Sequence, residues 1–246
     1  MLWSQQFEDV VWLDSNYHNG NYAKYDAVLA VDAFTVLKTD YFDAFERLKE
    51  YQATTQDWIF GYLTYDLKNT TEPLRSKNFD GLEFPDLYFF QPKKLFLIKG
   101  NQVEIQYLKM VDDELDADLM DIQKSSGPTL ETSSDPIRIK LRIHKDAYFE
   151  KVNKMLAHIH RGDIYEANFC QDFYAENSAI DPLETFKKLN DISRPPFATF
   201  LKTGDKYLLS ASPERYIKKE GLKVISQPIK GTAKRASNPI EDLKLK

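Results

Sequence analysis

Residues Tyr25–Ala33 (YDAVLAVDA) leave few options for the chain around them. The run is far shorter than the ~18–20 apolar residues that a membrane span requires, and it reads as a strand buried in a folded core. No other apolar run in the 246 residues approaches that span. A single cysteine, Cys170, rules out an intramolecular disulfide, so packing has to hold the core. An aromatic content of 13% supplies the large side chains for it. The lone cysteine suits a reducing compartment, and MLWSQQFEDVVWLD lacks the basic and apolar regions of a signal peptide, so a cytoplasmic location is expected. A net charge of -5 lacks the concentrated positive field of a nucleic-acid binder.

Around that strand, strand and helix patterns alternate. In Asp40–Gln52 the side chains of Phe42, Phe45 and Leu48 recur at helical spacing. Trp58–Tyr65 reads as a strand in which Gly61 marks a bulge or a close backbone approach. Leu87–Phe90 and Lys94–Ile98 read as two short strands, the second paired with Val103–Leu108 across Lys99-Gly100-Asn101. Residues 112–121 are acidic and 125–136 are rich in Ser, Thr, Gly and Pro, which predicts a solvated connection between lobes at 1–132 and 133–246. The acidic run lacks the glycine and terminal glutamate of a calcium loop. Asp146–Arg161 predicts an amphipathic helix with Phe149, Val152, Leu156 and Ile159 on one face and Gly162 as its stop. Ile164–Phe173 alternates like a strand with one polar face, and Asp181–Asn190 reads as a second helix. Strands follow at Phe197–Lys202, Tyr207–Ser210 and Leu222–Ser226. Asn238-Pro239-Ile240-Glu241 has the residues of a well-capped helix start, which the sequence leaves after about two turns. The expectation is therefore a truncated chain.

The histidines offer no metal pair, since His158 and His160 point to different faces of one helix and His18 and His144 lack ligand-type neighbours. No phosphate-binding loop, nucleophile elbow or dinucleotide fingerprint is present. A carboxylate and a lysine stand out instead. Glu214 ends a strand in Ser212-Pro213-Glu214-Arg215, and Lys230 follows another strand in Pro228-Ile229-Lys230-Gly231. The hairpin turn Lys219-Glu220-Gly221 would bring the two strand ends together. Such a pair is either a surface salt bridge, worth under ~1 kcal/mol, or an acid/base and nucleophile couple.

Three segments carry a resemblance. Gly162-Asp163-Ile164-Tyr165-Glu166-Ala167-Asn168-Phe169, then Ser210-Ala211-Ser212-Pro213-Glu214-Arg215, then Pro228-Ile229-Lys230-Gly231-Thr232 are similar, in order and spacing, to motifs of the chorismate-utilising enzymes. That family includes anthranilate, aminodeoxychorismate, isochorismate and salicylate synthases. Trp58–Leu67 and Phe84–Gln91 resemble the N-terminal lobe of the aminodeoxychorismate branch, so the likeness covers nearly the whole chain.

The resemblance implies an α+β fold, part of a four-layer α/β/β/α sandwich with two facing, mostly antiparallel sheets. It implies amination of chorismate to 4-amino-4-deoxychorismate with ammonia from a glutamine amidotransferase subunit. Lys230 would be the nucleophile, where anthranilate synthases usually carry alanine, and Glu214 the acid/base partner. Gly231 would let the backbone approach the substrate, and Thr232 would bind a substrate oxygen. Glu166 stands where amine-adding relatives often have glutamine; it either lines the site or faces solvent. Ser15, in Leu13-Asp14-Ser15, and Pro196, in Pro195-Pro196-Phe197-Ala198, match the family's tryptophan-binding pocket with departures at Asp14 and Ala198, and core packing is the alternative role for Pro196 and Phe197. Magnesium is implied, with ligands expected mostly beyond residue 246, so the chain alone is expected to be inactive. Two alternatives are an anthranilate- or isochorismate-type enzyme and a non-catalytic module that binds the amidotransferase.

Overall fold

The computed structural model describes residues 1–18, 23–125, 136–229, 236 and 238–244. After a 3-10 turn at Trp3–Gln6 come β1 (Asp9–Asp14), β2 (Ala27–Thr39), α1 (Ala44–Thr55), β3 (Phe60–Leu63), β4 (Leu87–Lys99), β5 (Gln102–Tyr107) and α2 (Leu115–Lys124). They are followed by β6 (Lys140–Leu141), α3 (Lys145–Arg161), β7 (Phe173–Tyr174), α4 (Pro182–Ser193), β8 (Phe197–Thr203), β9 (Lys206–Ser212), β10 (Arg215–Glu220), β11 (Lys223–Gln227) and α5 (Pro239–Lys244). Packing divides the chain into Met1–Pro128 with Pro182–Lys246, and Thr129–Asp181.

The first unit is built on a seven-stranded antiparallel sheet in the order β3-β4-β2-β1-β8-β9, with β5 also on β4. The buried run does become a strand, but it continues to Thr39 and pairs with β4 along its length. The two short strands expected at 87–90 and 94–98 are one continuous strand, β4. Pro92, which has no N–H to give, falls between the stretch that pairs with β3 and the stretch that pairs with β5, opposite an irregularity in β2 between Ala33 and Thr35. Gly61 pairs with Phe89, and a Cβ on it would overlap the carbonyl oxygen of Tyr88. The close approach expected there is real.

Alternation sends side chains to two faces. Val10, Leu29, Val31, Phe96, Ala198 and Phe200 pack with Trp3 and with Leu183 and Phe186 of α4. Val11, Val28, Ala30, Leu95, Leu97 and Leu201 pack on the other side with Phe60, Tyr88 and Phe90. Helix α1 docks through Ala44, Leu48 and Tyr51 on Leu37, Leu67 and Leu87. Phe42 and Phe45 stay exposed, because the helix begins at Ala44 and Ala44 takes the core-facing position.

The acidic stretch departs most from its expectation. Lys109–Glu114 is a 3-10 turn and Leu115–Lys124 a helix, and both are fastened to the sheet by a buried lysine. Lys94 on β4 is 2% exposed. Its Nζ donates to Glu114 Oε2 at 2.6 Å and Asp118 Oδ2 at 2.5 Å. The ammonium lies 5.8 Å from the Trp3 ring and 5.4 Å from those of Phe7 and Tyr107, and the Tyr107 hydroxyl donates to Asp118 at 2.8 Å. Burial works against the lysine's charge, but the hydrogen bonds to Asp118 and Glu114 outweigh it and raise its pKa above the ordinary 10.5. The lysine's share of this stability is thus complete below pH 10.5 and is lost only as pH rises through the raised value.

In the second unit α3 forms as expected. Gly162 caps it at φ 86°, with its N–H on Ile159 and the Asp163 N–H on His158. The strand expected at Ile164–Phe173 is not formed. Only Phe173–Tyr174 pairs, with Lys140–Leu141, the Asp172 carbonyl accepting from the Arg142 N–H at 3.0 Å beside them, and residues 164–171 have no ladder neighbour among the described residues. Alternation cannot make a strand without a partner for its backbone groups. At the other end of the chain, α5 starts as its sequence predicts, the Asn238 side chain accepting from the Ile240 N–H at 2.9 Å.

Lys94→Met should lower stability by about 3 kcal/mol, because it leaves the largely buried Asp118 carboxylate without its ammonium. Adding Asp118→Leu should recover most of the loss. Urea unfolding of the single and double variants, compared at their midpoints, checks both.

Candidate functional site

The hairpin expected to carry the catalytic pair is present. Strands β10 and β11 pair with Arg215 opposite Gln227, a bulge following before Lys218. A corner at Ser212-Pro213-Glu214 joins this hairpin to β9. The Ser212 hydroxyl donates to the Glu214 carbonyl at 3.1 Å and accepts from the Glu214 N–H at 3.3 Å. Pro213 cannot donate, so the serine does the bonding at this turn. The exposed Glu214 carboxylate accepts from the Ile229 N–H at 3.1 Å through Oε1. The end of the strand before Lys230 and the Ser-Pro-Glu corner therefore meet. Lys230, Gly231 and Thr232 lie outside the described residues.

Arg215 anchors the same corner from the other side. Its Nε donates to Gln227 Oε1 at 2.9 Å, and its guanidinium lies 4.9 Å from the Phe197 ring. Phe197 opens β8 and pairs with Ser212 on β9. An exposed carboxylate next to a guanidinium-anchored turn can exchange protons with solvent or with a substrate bound over it.

The two segments matched to a tryptophan pocket come together. Ser15 and Pro196 line one cavity of about 400 Å³ with Leu13, Tyr25, Trp58 and Arg215. The Ser15 hydroxyl oxygen is buried and has no hydrogen-bond partner among the described residues. Arg215 belongs both to this cavity and to the corner next to Glu214, so the two expected sites are neighbours.

What holds the cavity was missed in the sequence. Asn16 Nδ2 donates to Asn190 Oδ1 at 2.9 Å and to the Pro195 carbonyl at 2.7 Å, and Asn190 Nδ2 donates back to Asn16 Oδ1 at 3.1 Å. His18 Nε2 sits 2.9 Å from the Arg194 carbonyl. Asn16 has φ 49°, which asparagine tolerates better than most residues. An asparagine just past a strand hinted at such a turn, but its partner 174 residues away could not be read from spacing.

Glu166 lies exposed in the irregular stretch of the second unit, so it does not take the strand position expected for it. Among the described residues no group of three His, Cys, Asp or Glu side chains is placed to hold a metal ion, and no helix is long and apolar enough to cross a membrane.

The sequence model of the chorismate binding enzyme family matches residues 8–246. The chain belongs to this family. Among curated relatives it is 30% identical over 194 residues to an anthranilate synthase component I-like protein of Synechocystis, covering 76% of this chain and 39% of that protein. It is 28% identical over 182 residues to aminodeoxychorismate synthase component 1 of Klebsiella aerogenes, covering 74% and 40%. Over 100 residues it is 38% identical to the protein of that name in Escherichia coli, covering 41% and 22%. The chain thus spans about two fifths or less of the curated relatives it matches. In fold it is similar to anthranilate synthase component I of Streptococcus pneumoniae, with a TM-score of 0.69 at 17% identity over 84% of this chain and 54% of that one. The α+β architecture expected of the family is therefore that of this chain.

Asn16→Ala should cost about 2 kcal/mol, part from the lost amide bonds and part from the left-handed backbone. Asn16→Gly should cost about half as much, since glycine tolerates that backbone. Hydrogen exchange should quicken around residues 14–18 and 190–196 in both, which mass spectrometry of the exchanged chain would read.

Proposed function

We propose that this chain is part of an enzyme that aminates chorismate to 4-amino-4-deoxychorismate. The observation that carries the reading is Lys230 in Pro228-Ile229-Lys230-Gly231-Thr232, the position at which the chorismate-utilising family divides between lysine and alanine. Family membership supports the substrate, and relatives named aminodeoxychorismate synthase component 1 support the branch.

In this reading the neutral amine of Lys230 bonds to C2 of chorismate. The ring double bonds shift, the C4–O bond breaks, and the hydroxyl leaves as water with a proton from Glu214. Ammonia then bonds to C4, the double bonds shift back, and the C2–N bond to Lys230 breaks. Glu214 takes up the proton that the incoming ammonia sheds. Chorismate and ammonia give the amino product and water, and both residues return to their starting state. The Ile229 N–H on Glu214 supports this role by holding the carboxylate at the strand end that precedes Lys230. Gly231 and Thr232 contact substrate, and Glu166 is a further candidate for the lining. Ammonia comes from a glutamine amidotransferase subunit. The family resemblance also implies magnesium, but the described residues do not form a site for it. The cavity lined by Ser15 and Pro196 is proposed to hold tryptophan.

Anthranilate-type chemistry is the second reading, favoured by the relatives of that name. Lys230→Ala in the full-length protein separates the two. Under the lysine mechanism, amination with ammonia as nitrogen source should fall by at least ~100-fold with chorismate binding retained, because a covalent step is lost. Turnover unchanged by alanine would favour the anthranilate reading.

A further inference from the structure

A second cavity, of about 560 Å³, lies in the first unit away from the Glu214 corner and has no part in the reading above. Its floor is one cross-strand row of the sheet. Trp12 pairs with Leu29, Leu29 with Phe96 and Phe96 with Ile105, so four apolar side chains line up across β1, β2, β4 and β5. Ile98 and its partner Val103 extend the floor. Leu2 and Trp3 form one wall, and Leu119 and Ile122 of α2 form another. Lys187 of α4 is the one charged side chain among the described lining residues, the α-amino group of Met1 is a second basic group close to it, and none of the lining side chains is acidic. Lys187 has a half-buried pair with Glu184 at 2.6 Å, and an ammonium with three protons can still meet a second acceptor.

We propose that this cavity binds a small apolar monocarboxylate, its hydrocarbon body on the aromatic floor and its acid group at Lys187. The volume falls in the ~300–1,000 Å³ range of small-molecule sites, and an apolar lining whose basic groups, Lys187 and the Met1 amine, lie close together is what a molecule with one acidic end requires. The α2 wall is held in place by the Lys94 clamp. Lys94 lies on β4 two residues before Phe96 and four before Ile98, so it shares their face of the strand. The clamp keeps the wall standing when the cavity is empty, so a ligand need not order it on binding.

The test uses the purified 246-residue chain and 10-bromodecanoate, whose bromine quenches nearby tryptophan. Trp3 and Trp12 line this cavity, whereas Trp58 lines the other one. Saturable one-to-one quenching that persists in Trp58→Phe is expected. By calorimetry, decanoate should bind about fifteenfold tighter than octanoate, at ~0.8 kcal/mol per buried methylene. Lys187→Gln should weaken decanoate by about threefold to fivefold, the worth of one solvent-screened ion pair. Ile105→Trp, which fills the floor, should abolish binding. Val103→Trp at the more exposed rim provides the same test if Ile105→Trp fails to fold, as circular dichroism would show. Absence of saturable quenching, or binding that survives a folded filling variant, would overturn the site. Decanol binding as tightly as decanoate would overturn the carboxylate assignment.

Discussion

The ladder between β2 and β4 carries the first unit. These two thirteen-residue strands pair from Ala27 opposite Ile98 to Thr39 opposite Leu87. Every other strand of the large sheet reaches the core through one of them. Strand β1 uses the free edge of β2, β8 and β9 continue from β1, and β3 and β5 share the outer edge of β4. Because both strands are long, the register between them fixes which residues of the neighbours face each side. A one-residue slip would turn the Trp12–Leu29–Phe96–Ile105 row away from its cavity.

The same ladder positions the chemistry. Strand β8 depends on β1 for its place, with Asp14 opposite Ala198, which brings Ser15 and Pro196 to one cavity. Phe197 then receives Arg215, and the Ser-Pro-Glu corner follows from the end of β9. The carboxylate of Glu214 is thus located by a chain of strand pairings that begins far away in sequence. This arrangement also makes the cavity and the corner mechanically adjacent, since Arg215 cannot move without disturbing both.

Lys94 shows how a charge can organise an apolar region. Its ammonium is enclosed by three aromatic rings and two carboxylates, and its charge survives burial because those groups replace the lost water. The acidic segment that looked like a solvated connection is folded against the sheet for this reason. Its charges have a partner that no local pattern reveals.

The sequence by itself determined the periodic elements and the local signals. The buried strand at 27–31, the helix capped by Gly162, the hairpin between Glu214 and residue 229, the close approach at Gly61 and the Asn238 cap all follow from the identity of residues within a few positions of one another. The motifs around Glu214 and Lys230 were legible for the same reason, as short strings in a set order. Only the tertiary structure decided which patterns found partners. It joined two short strands into β4, left 164–171 outside any strand ladder among the described residues, and replaced Phe42 and Phe45 with Ala44 as the docking contact of α1. It also matched Asn16 to Asn190, Lys94 to Asp118, and Ser15 to Pro196. Those contacts depend on which backbone groups and charges are left to be satisfied once the sheet has closed, and that is a property of the whole chain.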